Sequence, residues 1–389
     1  MVTIAALSGG PSAIMSDKAL DLLHALTGPH GIRASLSTTA NYDAVFTRDA
    51  AMAGIAGLLA ADEEIAAGLV GTLTYLRDLQ GSEGQIASNY LIRSEGRPRV
   101  SFGTLAPRID ATTWYLVGIA LAARAGVLDP GPFHESTRLV VRLLDALEYN
   151  GRHLIYVPVG GNWADEYIYD GYILYDQVLR AWGLRLAGET FGETAWSDKA
   201  AQIELAIEDR YWPRGDANRR YPLAAFSPTV THDMFDLAAC SLLTISGTAR
   251  RLTGIALDWV DERFLSRGDL PPAFHPVIDE THPGWPALRR YHLHEFRNRP
   301  HEYHNGGIWP IWLGWLALGL ARADRPAPLG RLRTLVSEHV GPLETYQFDE
   351  YLHGATGTPG GVTHMAYSAT GLVFLELAGS EAQTRLFGA

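Results

Sequence analysis

Tyr303-His304-Asn305-Gly306-Gly307-Ile308-Trp309-Pro310 runs straight into an apolar, tryptophan-rich stretch over 311–321. A polar, glycine-hinged turn feeds an apolar helix. Pro310 suits the first helical turn, where its missing N–H costs nothing. Gly306 and Gly307 admit backbone angles that other residues resist. His304 and Asn305 are thereby held at a helix N-terminus beside the Trp309 ring. A protein can present itself to a sugar in this way, with a flat ring for the apolar face and short polar groups for the hydroxyls. A plain helix start on a packed tryptophan has the same sequence, so the segment alone supports both readings.

Outward from that helix, apolar residues recur at helical spacing along the chain. The spacing predicts helices over 17–26, 42–59, 62–79, 110–125, 135–147, 171–187, 194–211, 234–245, 248–264, 309–321, 329–338 and 368–377. Strand-like stretches are few and short: 99–102, 153–159 and the surroundings of Tyr221. The helices come in pairs. The segments between pairs, 82–109, 152–170, 265–308 and 341–367, are long and rich in Gly, Pro, Trp and His. Long loops without secondary structure of their own are usually functional in a compact domain. Twelve helices with one set of elaborate loops predict an all-α fold, an (α/α)6 barrel with six inner and six outer helices and a site at one end. A helical solenoid would carry a repeated motif, and none is visible. No low-complexity linker or composition shift divides the chain, so a single domain over 1–389 is expected.

Composition narrows the partners. The net charge of −11 argues against nucleic acid, which calls for a basic patch. Lysine occurs only at Lys18 and Lys199, and nothing suggests attraction to an anionic membrane surface. The longest apolar run, 312–321, is too short to span a bilayer. The N-terminus has no basic region ahead of its apolar residues, so it makes a poor signal peptide, and a cytoplasmic protein is expected. A disulfide within the chain is impossible with one cysteine. Cys240 lies in an apolar helix and reads as a buried thiol rather than a nucleophile. The 10 Trp and 17 Tyr, many beside polar residues, suit a carbohydrate site as well as a large helical core.

Four segments concentrate carboxylates next to aromatics. In 41–49 (Asn-Tyr-Asp-Ala-Val-Phe-Thr-Arg-Asp), Arg48 and Asp49 offer fixed donors and acceptors to sugar hydroxyls, or a salt bridge at a helix start. In 102–115, Asp110 stands where an N-cap would, so capping and substrate binding compete to explain it. In 160–172, Asp165 and Glu166 sit in a glycine-started loop with Trp163 and Tyr169. A carboxyl beside Trp163 is expected to be desolvated and raised in pKa, as a general acid working near neutral pH requires. In 346–354, Glu350 lies among aromatics before the last helix, as a partner able to deprotonate water. Two such carboxylates stand roughly 6.5–9.5 Å apart in an inverting glycosidase and about 5–5.5 Å apart in a retaining one. His282, His292, His294, His301 and His304 cluster in one loop, with His353 and His364 later. His292-x-His294 is too loose a spacing for a metal set. No metal or cofactor is called for, but a two-histidine proton-transfer site, as in a sugar epimerase, stays open.

These segments resemble the neutral/alkaline invertases, with more distant kin among bacterial glucosidases and glycogen-debranching-like enzymes of the six-hairpin glycosidase type. The stretch 41–59 is similar to the family's Asn-Tyr-Glu-Gln-Val-Phe-Ile-Arg-Asp segment, and 103–114 to its Gly-Arg-Val-Ala-Pro-Val-Asp-Ser-Gly-Leu-Trp. The stretch 303–310 is nearly its Tyr-His-Asn-Gly-Gly-Ser-Trp-Pro, with Ile308 in place of Ser. Glu350-Tyr351 falls on its Pro-Glu-Tyr-Tyr-Asp motif, with Asp349 replacing Pro. The motifs keep the family's order across 41–377. The resemblance implies that Asp165 is the general acid and Glu350 the general base, acting by inversion. It implies sugar contacts from Arg48, Asp49, Asp110, His304 and Asn305, to which Trp163, Glu166, Tyr169 and Trp309 are added as neighbours of the acid and the turn. Around the acid the invertases carry Met-Ile-Asp-Arg-Arg-Met-Gly, whereas this chain has Trp-Ala-Asp-Glu-Tyr-Ile-Tyr over 163–169. Two basic residues are lost, which sets sucrose apart as a doubtful substrate.

The expected activity is an exo-glycosidase acting on a small glucose-containing saccharide or glucoside. A sugar epimerase of the same barrel, and a silent sugar-binding protein, are the alternatives. The sequence is compatible with a homo-oligomer. The loop 265–302 has no counterpart in the invertase segments and is where this chain's own specificity is expected.

Overall fold

The computed structural model describes residues 11–92, 97–103, 107–213, 218–292, 295–340 and 346–388. In chain order its helices are α1 (Pro11–Leu26), α2 (Thr47–Ala60), α3 (Glu63–Asp78), α4 (Ile109–Arg124), α5 (His134–Ala146), α6 (Leu174–Phe191) and α7 (Thr194–Arg210). There follow α8 (Leu237–Ser246), α9 (Arg250–Arg263), α10 (Trp285–Leu288), α11 (Pro310–Arg322), α12 (Pro326–His339), α13 (Ala366–Leu377) and α14 (Glu381–Phe387).

Burial sorts them into two sets. Every residue of α8 is buried, as is α11 from Pro310 to Leu320. A helix apolar on all sides has to sit inside others. On α7 only Ala200, Ile203 and Ile207 are buried, a single stripe spaced three and four apart, which marks an outer helix. The inner helices α2, α4, α6, α8, α11 and α13 pack each against the next, and α13 packs back on α2, so the ring closes. Around it lie α1 on α13, α3 on α2 and α4, α5 between α4 and α6, α7 on α6, α9 on α8 and α12 on α11. This is the expected (α/α)6 barrel, and each predicted helix has its counterpart. The spacing did not reveal α10, a single turn, or α14, a short helix whose N-cap Ser380 accepts from the Gln383 N–H. None of the described helices is long and apolar enough to cross a membrane.

The chain crosses from inner to outer helices by short links at 61–62, 125–133, 192–193, 247–249 and 323–325. It returns from outer to inner by long ones at 27–46, 79–108, 147–173, 211–236, 264–309 and 340–365. All the long links therefore gather at the N-terminal ends of the inner helices. Those ends present unpaired N–H groups and a partial positive charge, which favour carboxylates. Asp49, Asp110 and Asp176 occupy the first turns of α2, α4 and α6, and Asp236 caps α8.

Short antiparallel strands brace the same end. Arg99–Ser101 pairs with Asn89–Leu91, which pairs with Val45–Phe46. Three inner helices consequently start later than their apolar spacing predicts. Val45–Phe46, Tyr172–Ile173 and Phe235–Asp236 are taken by strand partners just ahead of α2, α6 and α8. The predicted strand at 153–159 is reduced to one bridge, Val157 with Gly171. Its Ile155 has a side-chain partner instead, since the Gln177 amide accepts from the Ile155 N–H and donates to its carbonyl. Tyr221 is outside any strand, and Ala225–Phe226 forms the nearby one.

Candidate active site

A cavity of about 520 Å³ opens at the long-loop end. The start of α2 contributes Arg48 and Asp49, the residue before α4 contributes Arg108, and the 160s loop contributes Trp163, Asp165 and Glu166. Tyr42, Arg297, Tyr303, Trp309, Glu350 and Tyr367 complete the polar and aromatic wall.

Asp165 is 29% exposed and ion-paired, with Arg108 Nη2 donating to its Oδ2 at 2.6 Å. The other end of that guanidinium donates to the Gly160 carbonyl, so Arg108 ties the loop to the carboxylate it carries. His304 Nε2 lies 3.7 Å from Asp165 Oδ1. Burial pushes the Asp165 carboxyl up, but the His304 ring and the charges of Arg108 and Arg297 outweigh it and hold the group below the usual carboxylate range. The upward shift expected beside Trp163 is therefore reversed.

Glu350 shows the shift that Asp165 lacks. Burial is the main cause, and the nearby Asp165 charge adds to it, against lowering by Arg297, the Tyr42 hydroxyl and the Val362 N–H; the result is about 7. Tyr42 Oη donates to Glu350 Oε1 at 3.1 Å, and the Val362 N–H faces Oε2 at 3.4 Å. Gly361, at φ +80°, makes room for this: a Cβ there would stand 2.5 Å from Glu350 Oε2.

Arg48 is held by Asp110, its Nη1 donating to Oδ2 at 2.9 Å, while Asp49 lies 3.7 Å from its Nε. Asp49 is buried, and desolvation against the Arg48 charge brings it up to about 6. Asp110 is not the N-cap: Arg108 occupies that position, and Asp110 is the second residue of α4. It is fully buried behind Arg48, accepts from Tyr175 Oη at 3.3 Å, and does not border the cavity. Three further expected contacts, Tyr169, His304 and Asn305, also lie behind the wall. Tyr169 is buried against Phe274 and accepts from Asn162 Nδ2. Asn305 spends its amide on backbone, accepting from the Ile278 N–H at 2.8 Å and donating to the carbonyls of Ile278 and Asn298 at 2.7 and 3.1 Å. Trp309 borders the cavity, but its ring stacks on His304 at 5.1 Å and on Tyr351 at 6.0 Å, so it packs and is not an open platform. Gly306 takes φ +95°, which glycine adopts freely, whereas Tyr303, with a side chain, is strained at φ +49°.

Glu166 accepts from Arg297 Nε at 3.1 Å, and the Arg297 guanidinium lies 4.4 Å from the centre of the Tyr303 ring. Arg297 and Glu295 bring the 265–302 loop to the cavity. Sequence reading missed Arg108, Arg297, Tyr42 and Tyr367. Tyr42 and Arg108 lie inside the carboxylate segments it marked, and Arg297 and Tyr367 inside its long loops at 265–308 and 341–367, but none of the four was singled out. None of the described histidines lines the cavity: His304, an expected sugar contact, is fully buried behind the wall beside Asp165, His282, His292, His301, His353 and His364 lie elsewhere, and His294 is outside the described residues. The described residues hold no group of three or more His, Cys, Asp or Glu suited to a metal ion.

On the wall, Trp163 Nε1 and Tyr367 Oη are buried and make no hydrogen bond among the described residues, and Arg48 Nε and Asp49 Oδ2 face only each other at 3.7 Å.

Neither protein-family models nor curated proteins match the sequence. Solved structures do match the fold. A GH63 mannosylglycerate hydrolase from Thermus thermophilus, in complex with glucose, aligns with a TM-score of 0.67 at 13% identity, covering 92% of this chain and 99% of the other. A bacterial glucoamylase complexed with acarbose aligns at 0.65 and 14% identity, covering 96% of this chain and 56% of the other. A rhamnosidase from Klebsiella oxytoca with rhamnose bound aligns at 0.65 and 11% identity, covering 96% and 64%. With its closed inner ring, its outer helices and its long loops at one end, this chain has the (α/α)6 barrel fold that these six-hairpin glycosidases share.

Proposed function

We propose that the chain is a glycoside hydrolase whose catalytic carboxylates are Asp165 and Glu350, acting with inversion on a small glucose-containing saccharide or glucoside. One observation carries the reading: two carboxyl groups border one polar cavity with proton affinities displaced in opposite directions. Cleavage of a glycosidic bond uses such a pair, one group to protonate the leaving oxygen and one kept ionised. The fold supports the reading, since its solved neighbours include a mannosylglycerate hydrolase, a glucoamylase and a rhamnosidase. The epimerase alternative loses support, because His304 is the one loop histidine found beside a cavity carboxylate among the described residues.

Under the roles implied by the sequence resemblance, Asp165 donates the proton and Glu350 activates water. The substrate-free charges run the other way, with Asp165 ionised and Glu350 near 7. The implied roles therefore require the substrate to draw Arg108 off Asp165, which lets that carboxyl hold a proton as Glu350 gives one up. A good leaving group needs no protonation, so a 2,4-dinitrophenyl glucoside separates the two roles. D165N is expected to keep most of its activity on that substrate and to lose roughly 10²–10⁴-fold on a disaccharide, while E350Q fails on both. If E350Q is the variant rescued by the aryl glucoside, the roles are reversed. If either variant cleaves the disaccharide at a near-normal rate, that residue leaves the mechanism. A panel of sucrose, trehalose, maltose, isomaltose and glucosylglycerol followed by NMR identifies both the substrate and the anomer released.

A further inference from the structure

At the far end of the barrel, where the inner helices finish, a cavity of about 480 Å³ is lined by Arg124, Arg185, Arg250, Arg322 and Arg385, with Glu189 as its acid. Such a cationic concentration is unexpected in a chain of net charge −11. Part of it has a local explanation. Inner helices end in carbonyls without partners, and arginines near a C-terminus satisfy them and complement the helix dipole. At the end of α8, Arg322 donates to the Ile245 carbonyl and Arg185 to that of Ser246, and Arg124 donates to the Leu386 carbonyl at the end of α14. Three carboxylates answer part of the charge: Arg124 pairs with Glu189 at 2.6 Å, Arg185 with Glu204 and Arg385 with Glu381 at 3.5 Å.

Arg250 fits neither explanation. It opens α9, caps no carbonyl, and has no hydrogen bond or ion pair among the described residues. Its Nε and Nη2 lie 3.3 and 3.4 Å from where a Cβ on Gly247 would stand, and Arg322 Nη2 lies 3.7 Å from the same point. Two guanidinium groups thus approach each other over a glycine. Their repulsion registers on Arg322, which burial and the charges of Arg250, Arg185 and Arg124 push down to about 10.

We propose that this cavity is a binding site for a small phosphate-bearing anion, held by Arg250 and Arg322 across Gly247 with Arg185 and Arg124 at its sides. Guanidinium forks match phosphate oxygens in pairs, and the volume suits a small molecule. The site lies at the opposite end of the barrel from the sugar cavity and is independent of the hydrolase reading.

The probe is pyrophosphate, titrated calorimetrically and in thermal melts against chloride and sulfate at matched ionic strength. Wild-type protein is expected to bind it saturably and to melt higher in its presence. R250Q is expected to bind it at least about tenfold more weakly, one charge-assisted contact having been lost. Because Arg250 caps nothing, the unliganded variant should melt where the wild type does. Absence of saturable binding, or equal affinity in R250Q, overturns the proposal and leaves the cluster as helix-end capping alone.

Discussion

Asp165 and Glu350 are the same functional group in different surroundings. Asp165 keeps a 2.6 Å ion pair and part of its solvation, whereas Glu350 is buried with, among the described residues, only Tyr42 Oη and a backbone N–H on its oxygens. Their contributions to stability therefore have opposite signs. The Glu350 pKa rises from 4.5 in the unfolded chain to about 7 in the fold. Its stabilising neutral form is fully present below about 4.5 and is lost as the pH climbs through about 7. Above that range the buried charge costs up to about 3 kcal/mol. E350Q should accordingly melt above the wild type at pH 8 and converge with it below pH 4.5. Asp165 is the lowered case: its ion pair stabilises the fold above the ordinary carboxylate pKa and fades as acid protonates it. D165N should melt below the wild type at pH 8, since Arg108 and His304 lose their anion. Calorimetric melts of both variants from pH 4 to 8 test this, and a shared direction at pH 8 would refute the charge assignment. None of this was legible in the two residues' own neighbours in sequence. Trp163 predicted a raised acid at Asp165, but His304, and Arg108 from 57 positions away, decide the sign.

Among the elements, the turn at 303–310 has a different part from the one its composition suggests. Asn305 is a fastener that joins the turn to the backbones of Ile278 and Asn298, so the 265–302 loop and the turn form one piece. N305A removes three buried hydrogen bonds at about 1 kcal/mol each and should lower stability by roughly 2–4 kcal/mol. In urea titrations the loss should appear as a reduced midpoint, and it should stay when saturating sugar is present. An unchanged midpoint with weakened sugar binding would return Asn305 to the ligand contacts. The turn was recognisable because Gly-Gly-x-Trp-Pro is a local signal of a hinge and a helix start. Its partners were not, because a carbonyl such as that of Ile278 carries no residue type and cannot be seen in sequence. The late starts of α2, α6 and α8 have the same origin: two-residue strands pair with distant segments, and pairing overrides the apolar period.

For the whole molecule, ring closure makes the inner helices the least accessible part. Cys240 is fully buried on α8, and burial, with the Asp236 charge nearby, raises its thiol to about 12. It should resist a thiol-specific reagent until the ring opens, so its labelling rate in mild denaturant should follow global unfolding. Rapid labelling of native protein would mean that α8 opens locally. The short links at one end and the long ones at the other give the molecule two faces of different chemistry, carboxylates over helix N-termini and arginines over C-termini. Sequence alone determined the twelve helices of the barrel, their pairing and the long loops between pairs, because helical period and Gly, Pro and Trp punctuation are local properties. Tertiary structure alone decided which carboxyl holds a proton, that Asp110, Tyr169 and Asn305 stand behind the wall, and that five arginines meet at the far end. Those facts depend on burial and on charges brought together from residues far apart in the chain, and a ring of helices sets both only when it closes.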